Sequence, residues 1–127
     1  MPKKTLPAQL AELIRAQYPT PQLFFRTWKQ ATQLAGIPYF GDGSQSNFDN
    51  AQSKWDLSPN LPLIQHAIDV MSHGEQIFLA ALVSVYNAED GGSLLRQAGV
   101  QGLADFGLLD LERRKLLANL ILSYDGW

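Results

Sequence analysis

An all-α fold is predicted for this chain, and three observations carry the prediction. Apolar residues recur at helical spacing, helix start and stop residues bracket those runs, and the period-two alternation of strands is nearly absent. The 127 residues suit one domain, and a chain of this length buries roughly two-thirds of its unfolded surface without needing a staple. The expected architecture is a single-domain bundle over residues 1–127, of about five to six helices, with one long loop at 36–60.

The elements follow in order. Pro7 to Gln17 reads as a first helix, with Leu10, Leu13, Ile14 and Tyr18 on one stripe and Pro19 as its stop. A second helix starts at Pro21 behind Thr20 as cap, carries Phe24, Trp28, Ala31 and Ala35 on one face, and ends at Gly36. Residues 36–60 show no helical period. Asp42-Gly43 suits a hairpin turn and Phe48 to Trp55 suits a short helix, and the sequence does not choose between them. Pro62 to Met71 is helical, with Leu63, Ile64, Ala67, Ile68 and Met71 aligned.

Ser72 to Gly92 then reads as one complete central helix. Ser72 and Glu75 have the spacing of a capping box, in which the serine oxygen and the glutamate each take up a free backbone N–H. Ile77, Phe78, Ala81, Leu82, Val85 and Tyr86 give an apolar face so wide that the helix is expected to run through the middle of the fold. Gly91-Gly92 reads as its exit. That reading puts Glu89 and Asp90 at the negative end of the helix dipole, where acids are unfavourable. It invites a basic partner, with Arg96, Arg113 and Arg114 as candidates. Leu94 to Ala98 forms a helical turn closed by Gly99, and Leu103 to Leu109 is a short apolar stretch. Asp110 caps the last helix, in which Leu116, Leu117, Leu120, Ile121 and Tyr124 are expected inside and Arg113, Arg114, Lys115 and Asn119 outside.

Composition removes several function classes. Apolar residues are 46 %, charged residues 17 %, and the formal net charge is −2, which argues against a general attraction to nucleic acid. A surface this poor in charge leaves room for a partner-binding patch. There is no cysteine, so disulfides, thiolate metal sites and cysteine nucleophiles are excluded. No segment has the length of apolar residues that spans a bilayer. The lysines and apolar residues of 1–17 echo a signal peptide, but Gln9, Glu12 and Arg15 interrupt the apolar run. A cytoplasmic protein is expected.

Motifs that suggest chemistry each meet a plainer explanation. An EF-hand loop starting at Asn87 puts Glu89 third, Gly92 sixth and Leu94 eighth, but its twelfth position, which needs a bidentate acid, is Ala98. Asp105-Phe106-Gly107 copies the magnesium-binding tripeptide of protein kinases without the glycine-rich loop or catalytic loop that gives it meaning. His66 with Asp69, and His73 apart from them, make fewer than three convincing metal ligands. His66 is expected to be partly buried and His73 solvent-facing. No nucleophile motif and no phosphate-binding loop is present, and the acid pairs Glu89/Asp90 and Asp110/Glu112 sit at helix ends. Arg113-Arg114-Lys115 reads as a solvated basic face. No catalytic residue, metal ligand or cofactor site is therefore assigned.

Two surfaces remain. Tyr39, Phe40, Phe48 and Trp55 lie in a Gly/Ser/Asn/Asp setting, and aromatic residues on a polar segment resemble a recognition surface. The alternative is that they tuck under and cap the bundle. The other surface is the Asn87, Glu89, Asp90 segment.

Residues 73–124, with FLAALVSVYNAEDGG followed by LADFGLLDLERRKLLANLILSY, resemble small bacterial domains of unknown function from plasmids and integrative elements. Those domains end an apolar helix in an Asn-Ala pair and a Gly-Gly. This chain has additional residues, 93–102, before its final helices. The resemblance implies a mobile-element context and transfers no catalytic residue. The expected function is a non-enzymatic protein-interaction module, of an inhibitor, immunity or regulatory kind, whose partner is another protein. It would bind through Tyr39, Phe40, Phe48, Trp55, Asn87, Glu89 and Asp90. The alternatives are a calcium- or metal-regulated helical module and a small enzyme.

Overall fold

The structure, a computed structural model, describes residues 21–124 and 126–127. The helix expected at Pro7 to Gln17 lies outside the described residues. Six α-helices are described: α1 (Pro21–Ala35), α2 (Gln45–Asn50), α3 (Leu61–Ala67), α4 (His73–Tyr86), α5 (Ala88–Gln97) and α6 (Leu111–Ser123). Short 3-10 turns at Ile37–Tyr39, Lys54–Leu57, Ile68–Val70 and Leu103–Leu108 join them. Among the described residues there is no strand, and one isolated bridge joins Phe40 to Pro59. The all-α expectation holds.

α1 and α4 form the centre. Phe24, Trp28 and Ala31 recur on one face of α1 and are fully buried. Trp28 also donates its indole N–H to the Leu57 carbonyl at 3.0 Å, so its one polar atom is satisfied inside. Gly36 ends α1 at φ +133, a backbone that side-chain-bearing residues rarely adopt. In α4 every residue from 77 to 83 is buried, as the wide apolar face predicts. Its capping box is formed: Glu75 N–H donates to Ser72 Oγ at 3.3 Å, and Ser72 N–H to Glu75 Oε1 at 2.9 Å.

The central helix is shorter than expected, and this is the main correction. α4 stops at Tyr86, and Asn87 is at once its last cap and the first cap of α5. Asn87 N–H donates to the Val83 carbonyl at 2.7 Å, while Asn87 Oδ1 accepts from Asp90 N–H at 3.0 Å. Gly91 and Gly92 are therefore inside α5, in a helix interior that usually disfavours glycine. Packing explains Gly91: a Cβ there would stand 2.1 Å from the backbone nitrogen and Cα of Ser84. The missing side chain lets α5 fold back onto α4 as a tight hairpin. His73 Nε2, at the start of α4, lies 2.6 Å from the Ala98 carbonyl and closes the far end. Gly99, at φ +87, terminates α5 as its sequence predicts.

α6 runs antiparallel to α1: Phe24 meets Tyr124 ring to ring at 5.8 Å, and Leu34 lies beside Leu116 and Lys115 at the other end. Asp110 caps α6 by accepting from Arg113 N–H at 2.8 Å. Leu116 and Leu120 are buried and Leu117 is half-buried, as expected, but Ile121 and Tyr124 are exposed. The reason is that α6 carries apolar residues on more of its circumference than α1 and α4 cover.

Candidate interaction groove

Residues 36–60 form a packed clasp. Gly41 N–H donates to the Ser58 carbonyl at 2.9 Å and Asn60 N–H to the Tyr39 carbonyl at 2.8 Å, which ties the two ends of the segment together. Asp42-Gly43 makes a turn, as the sequence suggests, but it leads into α2 rather than a second strand. Ser44 caps α2 through Asn47 N–H at 3.0 Å, and Asp42 Oδ1 accepts from Ser44 N–H and Oγ at 2.8 and 2.6 Å. Those bonds hold the Asp42 carboxyl below its ordinary value, the Ser44 side-chain bond contributing most. Asp56 Oδ2 accepts from the backbone N–H groups of Gln52 and Ser53 at 2.8 and 3.2 Å.

The aromatic residues of the clasp divide. Phe40 and Phe48 are 1 % and 7 % exposed, so they anchor the clasp in the core, and Tyr39 is half-buried. Trp55 keeps 58 % of its surface. It belongs to a ring cluster centred on Trp127, whose ring lies 4.8 Å from Trp28, 5.0 Å from Tyr86 and 5.9 Å from both Phe24 and Trp55. The Lys54 ammonium stands 5.3 to 5.6 Å from the rings of Phe24, Trp55 and Trp127 and donates to the Gly126 carbonyl. The cluster packs one side of the Trp55 ring and leaves the rest in water.

The second predicted surface changes character with the helix boundary. Glu89 and Asp90 sit in the first turn of α5, where the positive end of the dipole favours acids. The group they face is this helix end. Among the described residues they pair with none of Arg96, Arg113 and Arg114. Residues 88–97 being helical, the backbone has no twelve-residue loop to wrap a cation. His66 and His73 are both exposed, and Asp69 Oδ1 accepts from Gln97 Nε2 at 2.8 Å. Asp105 of the kinase-like tripeptide accepts the backbone N–H groups of Gln101 and Gly102 at 2.7 and 3.1 Å, which hold its carboxyl low.

The open surface lies elsewhere. A groove of about 520 Å³ runs between α4, α6 and the Leu103–Leu108 turn. Ala81, Ser84 and Val85 come from α4 at helical spacing, and Arg114, Leu117, Ala118 and Ile121 from α6 at i, i+3, i+4 and i+7. Leu103, Phe106 and Leu109 close the third side. A further hollow of about 310 Å³ shares Ser84, Val85 and Ile121 with it and extends it to Tyr124. The rim is apolar and unprotected: Leu103 is 83 % exposed and Ile121 71 %. Ser84 Oγ donates to the Ala81 carbonyl at 2.6 Å. Arg114 donates from Nε to the Leu109 carbonyl at 2.8 Å and from Nη2 to the Gly107 carbonyl, while its Nη1 has no hydrogen bond among the described residues.

None of the seven residues predicted to bind a partner lines this groove. The available signal was the surplus of apolar residues on α6, where Leu111, Ile121 and Leu122 join Leu116, Leu117 and Leu120. One buried face cannot absorb them all. No protein-family model, no curated protein and no solved structure matches the chain. No described helix is long and apolar enough to cross a membrane.

Proposed function

We propose that this chain works by binding another protein, and that the contact surface is the groove between α4 and α6. The observation that carries the reading is the exposed apolar rim, Leu103 and Ile121, around a concave apolar floor. Contiguous exposed apolar surface is costly in water and marks interaction sites. The polar side chains in the lining are engaged with backbone carbonyls, an arrangement suited to docking rather than to proton or group transfer. An inhibitor, immunity or regulatory protein of a bacterial mobile element, acting in the cytoplasm, fits this reading.

The test is a capture experiment from the native host with three proteins: the wild type, Ile121→Asp with Leu103→Asp, and Trp55→Ala. The groove substitutions are expected to lose the partner and Trp55→Ala to keep it. Loss with Trp55→Ala alone would return the contact to the clasp.

A further inference from the structure

We propose that the occupant of the groove is an amphipathic helix of the partner protein that places an acidic side chain against Arg114. The proposal rests on the reading of the groove as the contact surface and specifies its chemistry. Two features select a helix. The wall from Arg114 to Tyr124, the residue that caps α6, spans ten helical rises, or roughly 15 Å, which is the length of two to three turns of a partner helix. The lining combines buried Ala81 with half-buried Ser84, Val85 and Leu117 and exposed Ala118 and Ile121, an apolar strip along two helices. A third helix can lay its own apolar row along such a strip. A small apolar molecule would fill the floor and leave the rim residues Leu103 and Ile121 in water.

Charge selects the acid. Arg114 is the charged residue of the lining. The Leu109 and Gly107 carbonyls fix its guanidinium plane, and Nη1 is left to donate. A guanidinium already held in place loses little freedom on pairing, and its fork matches a carboxylate. A partner helix with glutamate or aspartate beside its apolar row would complete that donor set. A lysine there would face Arg114 with like charge.

The test uses the full chain and three fluorescent helix-locked peptides of about 15 residues, each with leucines at i, i+4 and i+7. They differ in the residue flanking the leucine row: glutamate, glutamine or lysine. Fluorescence anisotropy is expected to show the glutamate peptide bound about tenfold more tightly than the glutamine peptide, and the lysine peptide weakest. Arg114→Gln should bring the glutamate and glutamine peptides level, Arg114→Lys should keep the order, and Ile121→Asp should weaken all three. Equal affinities on the wild type, binding of none of the three, or saturation of the groove by dodecanoate but not by peptide would each overturn the proposal. If Arg114→Gln does not fold, the ranking on the wild type decides alone. Groove substitutions that lose the host partner while the peptides show no ranking would overturn this inference and leave the proposed contact surface standing. A host partner retained by those substitutions would remove the contact surface itself.

Discussion

The clasp of residues 36–60 buries Phe40 and Phe48 and leaves Trp55 largely exposed, while the face formed by residues 103–124 leaves a run of aliphatic side chains in the open. In the clasp, Phe40 and Phe48 are inside, and Trp55 is gathered into the ring cluster of Trp127. Polar atoms of Asp42, Ser44, Asn47 and Asp56 bond to one another or to nearby backbone. On the other face, Leu103, Leu108, Ile121 and Leu122 have no such cover among the described residues. The difference teaches that a polar, glycine-containing segment can be anchored in the core of a small domain. A leucine-rich helix can be the part that needs a partner.

Substitutions can sharpen that contrast. The largest loss is expected where α1 meets the clasp: Trp28→Ala empties a fully buried site and removes the donor to the Leu57 carbonyl. It should cost about 3–5 kcal/mol by urea denaturation. Next comes the hairpin between the two regions. Gly91→Ala drives a methyl group into the Ser84 backbone and should cost about 3 kcal/mol, whereas Gly92→Ala, whose added Cβ meets the Arg96 side chain at 3.4 Å, should be tolerated far better. If Gly91→Ala were neutral, the close approach of α4 and α5 would be wrong. Asn87→Ala removes the cap that starts α5 and should cost about 1 kcal/mol, a loss that a central helix running to Gly92 would not show.

The smallest effect is on pH. Glu75, through Ser72, and Asp110, through the Arg113 N–H, are held below their ordinary values of 4.5 and 3.8. Folded carboxylates with lowered values stabilise above the unfolded values and lose that contribution as pH falls through the folded ones. Thermal midpoints should therefore drop on acidification below about pH 4.5, and Glu75→Gln with Asp110→Asn should flatten the drop. An unchanged slope would place the acid sensitivity elsewhere.

Local signals made much of this fold legible. The Ser72–Glu75 capping box, the Phe24-Trp28-Ala31 face and the Asp110 cap depend on residues three or four apart, and they form as their spacing predicts. The boundary at Asn87 was not legible, because two glycines in a row ordinarily end a helix. Gly91 is required instead by a contact with Ser84, seven residues away in a neighbouring helix. The clasp was illegible for a related reason: its short helices are held by cross-segment bonds such as Asn60 to Tyr39 rather than by a hydrophobic period. The groove was hidden by the assumption that apolar residues on α6 face inward. Which of Leu117, Leu120 and Ile121 is covered depends on where α4 and the Leu103–Leu108 turn lie.

The central claim is that stability and binding reside in different regions, and one paired measurement tests it most directly. Ile121→Asp with Leu103→Asp should leave the thermal midpoint of the protein unchanged and abolish capture of its host partner. Capture at the wild-type level by that folded variant would contradict the account.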